Sequence, residues 1–262
     1  MTSSRLSTRH LFDLDFVNAP TVEPVAQVLF SERTERPARW RCVVTPNVDH
    51  LVRYARHPEE AEAAAHSSLV LPDGMPIIWA SRLLHRSLAG RLTGADLFAD
   101  LWRRIVEDAT PIVVVASTNE VASRISAADA NARCIVPPMF DASDRAAVDG
   151  IVNEVANEAE RIDARFVVVG VSMPKHHRIA NGLRSRWAGA YSGTPTVLLL
   201  GASPDFALGL TERAPSWMQR SGLEWLHRLL VDPRRMAKRY LVDDVSFLRL
   251  VWQEWRSSRA PA

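Results

Sequence analysis

The residues best able to do chemistry fall in short clusters separated by apolar or amphipathic sequence: Thr45-Pro46-Asn47, Leu71-Pro72-Asp73-Gly74, Arg91-Leu92-Thr93-Gly94 and Gly170-Val171-Ser172-Met173-Pro174-Lys175. Asp73 follows a short apolar run and precedes a glycine, so it should project from the carboxyl end of a sheet, where α/β proteins place their ligands. A carboxylate there can take a proton from an attacking hydroxyl. The same position also suits an N-cap for a helix starting near Met75. Thr45 and Asn47 offer a hydroxyl and an amide for a sugar or phosphate oxygen; alternatively, Pro46 sets a turn and Asn47 caps the next helix. Arg91 can bind a phosphate, while Asp96 fits a first-turn acidic residue favoured by the helix dipole. Gly170 to Lys175 leaves an apolar run and enters a helix at Pro174, which aims backbone N–H groups at an anion such as a nucleotide diphosphate. Gly170, Pro174, Lys175 and His176 are the candidate contacts of that loop. His176 and His177, adjacent on a helix, point in different directions and do not form a metal pair.

A second cationic set lies near the C-terminus: Arg213, Arg228, Arg235, Lys238 and Arg239. Arg235, Lys238 and Arg239 share one helical face at three- and four-residue spacing, which suits a diphosphate. The net charge is only +2, but Thr211 to Ala262 holds ten Lys/Arg against six Asp/Glu, together with Trp217, Trp225, Trp252 and Trp255. A basic, tryptophan-rich tail fits a phosphate-bearing or membrane-surface partner. It equally fits a helical pair packed on the core with solvated arginines.

The elements that must position these residues alternate. Apolar runs at Leu11 to Phe16, Trp40 to Val44, Ser68 to Leu71, Ile112 to Ala116, Arg133 to Val136, Phe166 to Val171 and Val197 to Gly201 are the predicted strands. Amphipathic stretches at Val22 to Phe30, Val48 to His66, Met75 to Leu84, Ala95 to Glu107, Glu120 to Ala128, Arg145 to Glu160 and His176 to Trp187 are the predicted helices. This rhythm predicts an α/β fold, a Rossmann-like, mostly parallel sheet with helices on both faces. It stops near residue 211, so we expect an α/β domain over 1–210 and a helical appendage over 211–262. In the last helix Met236, Tyr240, Phe247, Val251 and Trp255 form one apolar stripe.

Several classes are excluded. No run approaches the roughly 18 apolar residues a spanning helix needs. The polar stretch Met1 to His10 lacks a signal-peptide core. Cys42 and Cys134 have no partner at metal-ligand spacing and read as reduced core thiols. There is no G-x-G-x-x-G, P-loop or G-x-S-x-G motif. The basic residues lack the interleaved aromatics of a nucleic-acid platform.

Taken in order, these clusters, with Arg213-Ala214-Pro215, Gly222-Leu223-Glu224-Trp225-Leu226-His227-Arg228 and Pro233-Arg234-Arg235, resemble the WecG/TagA/CpsF family of glycosyltransferases over roughly residues 11 to 245. The resemblance implies inverting transfer of an N-acetylmannosamine-type or glucose-type sugar from a UDP-sugar to a polyprenyl-diphosphate-linked saccharide, in surface polysaccharide or teichoic acid synthesis. It implies Asp73 as base, Thr45, Asn47 and Arg91 as substrate contacts, and the C-terminal cations as diphosphate ligands, with Arg228 and Arg235 the nearest matches. It further implies a cytoplasmic protein peripheral on the membrane and a tendency to self-associate. No metal or other cofactor is expected, since Asp13-Leu14-Asp15, although of D-x-D form, lies in the first predicted strand. Two departures stand out: Gly90 replaces the family's Glu before Arg91, and His176-His177 replace Gln-Glu after Lys175. The latter motivates an alternative, a non-catalytic membrane-associated partner in polysaccharide assembly. A soluble nucleotide-sugar epimerase is a further rival, disfavoured by the basic tail.

Overall fold

The computed structural model describes residues 6–31, 40–188, 193–210, 214, 215, 218, 230 and 246–257. Eight strands form one sheet in the order β1-β2-β4-β3-β8-β7-β5-β6, from β1 (Thr8–Leu11), β2 (Leu14–Val17), β3 (Cys42–Val44), β4 (Leu69–Val70), β5 (Ile112–Val115), β6 (Ala132–Ile135), β7 (Phe166–Val169) and β8 (Thr196–Leu199). Among the described residues the one antiparallel pairing is β1–β2. The predicted α/β class is what is observed.

The inner strands β3, β5 and β7 are apolar at every position because helices cover both faces. Val113, Val115, Val167, Val169, Val197 and Leu199 point into one core, shared with α2 (Val48–Arg56), α3 (Pro58–Ala65), α4 (Met75–Leu83), α7 (Arg145–Arg161) and α8 (Lys175–Arg186). Ile112, Val114, Phe166, Val168 and Leu198 point into the other, shared with α1 (Glu23–Ser31), α5 (Gly94–Glu107) and α6 (Asn119–Ala128). The strand period of two thus divides each apolar run between two cores.

Two predicted elements are split. Leu11 to Phe16, expected as one strand, is a hairpin corner whose turn residues Phe12 and Asp13 both adopt positive φ (53° and 58°), as a tight two-residue hairpin turn requires. Asp13 therefore sits in a turn, and Asp15 pairs across the hairpin with His10 (2.9 Å). Val48 to His66, expected as one helix, breaks at His57, and Pro58 opens α3; a proline cannot donate the hydrogen bond that would continue α2. Bidentate bonds from Arg53 to the buried Glu60 (2.8 and 2.9 Å) hold the two halves together.

The helix over 246–257 returns to the first core. Phe247 and Val251 are buried there, with the Phe247 ring 5.6 Å from that of Phe12. An Arg86–Glu254 ion pair (2.6 Å) fastens its far end. Among the described residues no helix is long and apolar enough to cross a membrane. Met236 and Tyr240 of the predicted stripe lie outside the described residues.

Candidate active site

The carboxyl ends of β4, β3 and β8, neighbours in the sheet, deliver Asp73, Thr45 and Ser203 to one edge. The Asp73 N–H donates to the carbonyl of Pro46 (3.1 Å), which couples the two turns. The Asp73 Oδ2 accepts from the N–H of Gly94, the first residue of α5 (3.3 Å). Its carboxylate therefore faces the positive end of a 14-residue helix, a setting that favours negative charge. The alternative role as cap of the helix at Met75 is not realised, because Gly74 holds that position without a side-chain bond.

Gly94 is where the site converges. A Cβ on it would lie 2.6 Å from the Ser203 hydroxyl and 3.1 Å from that of Thr45. Only glycine lets the α5 terminus approach both hydroxyls so closely. Thr93 caps α5, accepting from the Asp96 N–H (3.0 Å) and donating to the Asp96 carboxylate (2.7 Å); Asp96 is the first-turn residue expected of it. Arg91 is held just ahead of this cap by flanking bonds: Ala89 N–H to the Asn18 side chain (2.7 Å) and Leu92 N–H to the Pro72 carbonyl (2.9 Å).

The remaining predicted contacts are distributed differently. Asn47 caps α2, its Oδ1 accepting from the His50 N–H (3.1 Å), so the capping alternative is present. The Gly170 N–H donates to the Val115 carbonyl (2.8 Å) and extends the sheet. Pro174, preceded by a cis peptide bond, stands at the α8 N-cap. Lys175 reaches the segment after β6, its ammonium 4.6 Å from the Phe140 ring centroid. His176 is buried with Nδ1 against the Val171 carbonyl (3.0 Å). Burial, then the nearby His50, push its pKa down to about 3, so it is a neutral ring in the core. Arg213, Arg228, Arg235, Lys238 and Arg239 lie outside the described residues.

The sequence reading missed Ser203 and the short helix α9 (Ser203–Ala207). The Ser203-Pro204 pair after an apolar run was the available signal, since proline favours a helix's first turn. It also missed Asp205, which accepts from the Ser117 hydroxyl at the end of β5 (3.1 Å) and encloses its Oδ2 without a hydrogen bond.

A sequence model of the family described as "Glycosyl transferase WecG/TagA/CpsF family" matches residues 9–261. The chain belongs to this family. Among its relatives, the N-acetylglucosaminyldiphosphoundecaprenol N-acetyl-beta-D-mannosaminyltransferase of Bacillus subtilis (strain 168) is 28% identical over 184 residues, covering 68% of this chain and 66% of the relative. The protein of the same name from Bacillus spizizenii is 24% identical over 260 residues, covering 98% and 95%. Family membership gives the Asp73 edge a chemical context, glycosyl transfer. It also makes the departure at Gly90 interpretable: a Cβ there would collide with the backbone carbonyl of Pro20, so no glutamate fits before Arg91 in this chain. Among the described residues no group of three or more His, Cys, Asp or Glu is placed to hold a metal ion.

Proposed function

We propose that the protein is an inverting glycosyltransferase that moves an N-acetylmannosamine-type or glucose-type sugar from a UDP-sugar onto a polyprenyl-diphosphate-linked saccharide. The observation that carries this reading is the Asp73 carboxylate, held by the Gly94 N–H at the head of α5 beside the Thr45 and Ser203 hydroxyls. The acceptor hydroxyl oxygen bonds to the anomeric carbon as the bond from that carbon to the diphosphate oxygen breaks. The hydroxyl proton passes to Asp73, and UDP leaves with the electron pair. No glycosidase-type acid is required, because the leaving group is already a phosphate ester. Its negative charge needs cations and N–H donors, and Arg91, Lys175 and the basic residues Arg213, Arg228, Arg235, Lys238 and Arg239 supply that chemistry in this reading. Thr45 and Asn47 contact the sugar end.

A lipid-linked acceptor places the reaction at a membrane surface, so we assign the protein a peripheral position on the cytoplasmic face. Trp79 and Leu83 are exposed on α4, which starts two residues after Asp73, and Leu248 and Trp252 are exposed on the helix over 246–257. These are side chains of the kind that settle at lipid headgroups.

The test is UDP release from a panel of UDP-sugars with a short-chain polyprenyl-diphosphate-GlcNAc acceptor, comparing wild type with Asp73→Asn. Acceptor-dependent turnover lost in the variant is expected. Equal turnover in both proteins would remove Asp73 as base, and acceptor binding without turnover across the panel would leave the non-catalytic partner role.

A further inference from the structure

His176 and His177, in the first turn of α8, are both buried, at 3% and 2% exposure. They meet two residues of α2, His50 and Tyr54, one turn apart on that helix. His50 Nδ1 accepts the Asn47 N–H (3.3 Å) while its own N–H donates to the Asn47 side chain. His50 is therefore fastened to the turn that follows β3. His176 Nδ1 lies 3.0 Å from the Val171 carbonyl. A carbonyl only accepts, so this nitrogen carries the proton, and the ring is fastened to the loop that follows β7.

Between these anchors the contacts are continuous. The His176 ring is 5.8 Å from His50 and 4.4 Å from His177, edge-on in both cases. His177 Nε2 lies 3.0 Å from the Tyr54 hydroxyl, a bond between residues 123 apart in sequence. Strand β8 separates β3 from β7 in the sheet, so the two loops are about 10 Å apart at their origins and share no strand pairing. Nothing in apolar packing alone calls for three imidazoles and a phenol here. Burying them even leaves His177 Nδ1 without a hydrogen bond, a cost that an aliphatic core would avoid.

We propose that His50, Tyr54, His176 and His177 are positioning residues that hold the Thr45–Asn47 turn and the Gly170–Lys175 loop at one fixed separation. A donor bound across β8 then meets a preformed site, its sugar end at the first loop and its diphosphate at the second. The ligand in this inference rests on the glycosyltransferase reading; the coupling of the two loops does not.

The experiment combines hydrogen–deuterium exchange of the full chain with UDP binding and donor kinetics, for wild type, Tyr54→Phe and His177→Gln at pH 7.5. Tyr54→Phe should speed exchange both in 45–53 and in 171–178, while β5 and α7 keep wild-type protection. It should raise donor KM about tenfold with a smaller change in kcat, as expected when a contact is misplaced without being removed. His177→Gln, which keeps a polar partner within reach of the Tyr54 hydroxyl, should leave both close to wild type. Faster exchange confined to α2, or donor KM within twofold of wild type in a Tyr54→Phe protein that shows the exchange change, would overturn the proposal. If wild type neither binds UDP nor turns over, the glycosyltransferase reading fails, and the paired exchange response at 45–53 and 171–178 still decides the coupling.

Discussion

Lowering the pH from 7 to 5 should cost the folded state about 2 kcal/mol through His176 alone. In the unfolded chain this ring titrates near 6.5, whereas burial, with His50 nearby, brings it down to about 3 in the fold. The unfolded state therefore binds more protons between these values, and stability falls as pH drops through that window. At pH 5 the unfolded ring lies about 1.5 units below its pKa, which at about 1.4 kcal/mol per unit gives about 2 kcal/mol. His177 acts in the same direction: burial, then His176, His50, Arg53 and Arg178, hold its pKa well below 6.5. Glu60, held low chiefly by its hydrogen bond from Arg53, contributes only below its ordinary value of 4.5, outside this window. Urea unfolding from pH 7.5 to 5.0 measures the effect. A His176→Gln, His177→Gln double variant should be flatter over the same range, which separates this pair from every histidine the two proteins share. Equal stability of wild type at pH 7 and pH 5, or an identical slope in the variant, would refute burial of neutral imidazoles as its cause.

Gly94→Ala should lower stability by about 1–3 kcal/mol, since the new methyl meets the Ser203 and Thr45 hydroxyls in a packed junction; it should also reduce transfer activity, and denaturant midpoints with single-turnover assays check both. Phe247→Ala should cost about 3–5 kcal/mol, because the ring is buried against Phe12. Limited proteolysis should then cut within 246–257, and an uncleaved helix would show that buried Val251 and the Arg86–Glu254 pair suffice to hold it.

Much of this architecture is legible because it follows from periodicity. Runs such as Ile112 to Val115 and Phe166 to Val169 are apolar at every position, which only a strand covered on both faces needs. The Asp73 turn is legible for the same reason, since a polar residue closing such a run must lie at a sheet edge. What periodicity cannot carry is backbone punctuation and distance. The Phe12-Asp13 turn has positive φ without glycine or asparagine, and its flanks alternate as one strand would. Pro58 did announce the break between α2 and α3, but the amphipathic pattern runs on through it. Gly94 reads as a motif residue; that it seats Asp73, Thr45 and Ser203 around one helix terminus depends on contacts from three strands. Asn47 shows the converse, a polar residue at the site edge whose oxygen serves a helix cap.

The chain's two departures from its family's motifs have one kind of explanation. Gly90 stands where a glutamate is usual because the loop before Arg91 presses against the Pro20 carbonyl, and the Ala89 and Leu92 amides pin it there. His176 and His177 stand where Gln and Glu are usual because α8 meets α2 through Tyr54 and His50. A glutamate at position 177 would be a carboxylate as deeply buried as this ring and opposite Tyr54, costly to ionise unless Arg53 or Arg178 paired with it. The carboxylate at Asp73 and the glycine at Gly94 admit no such exchange, since one supplies the charge and the other the space that the helix terminus requires.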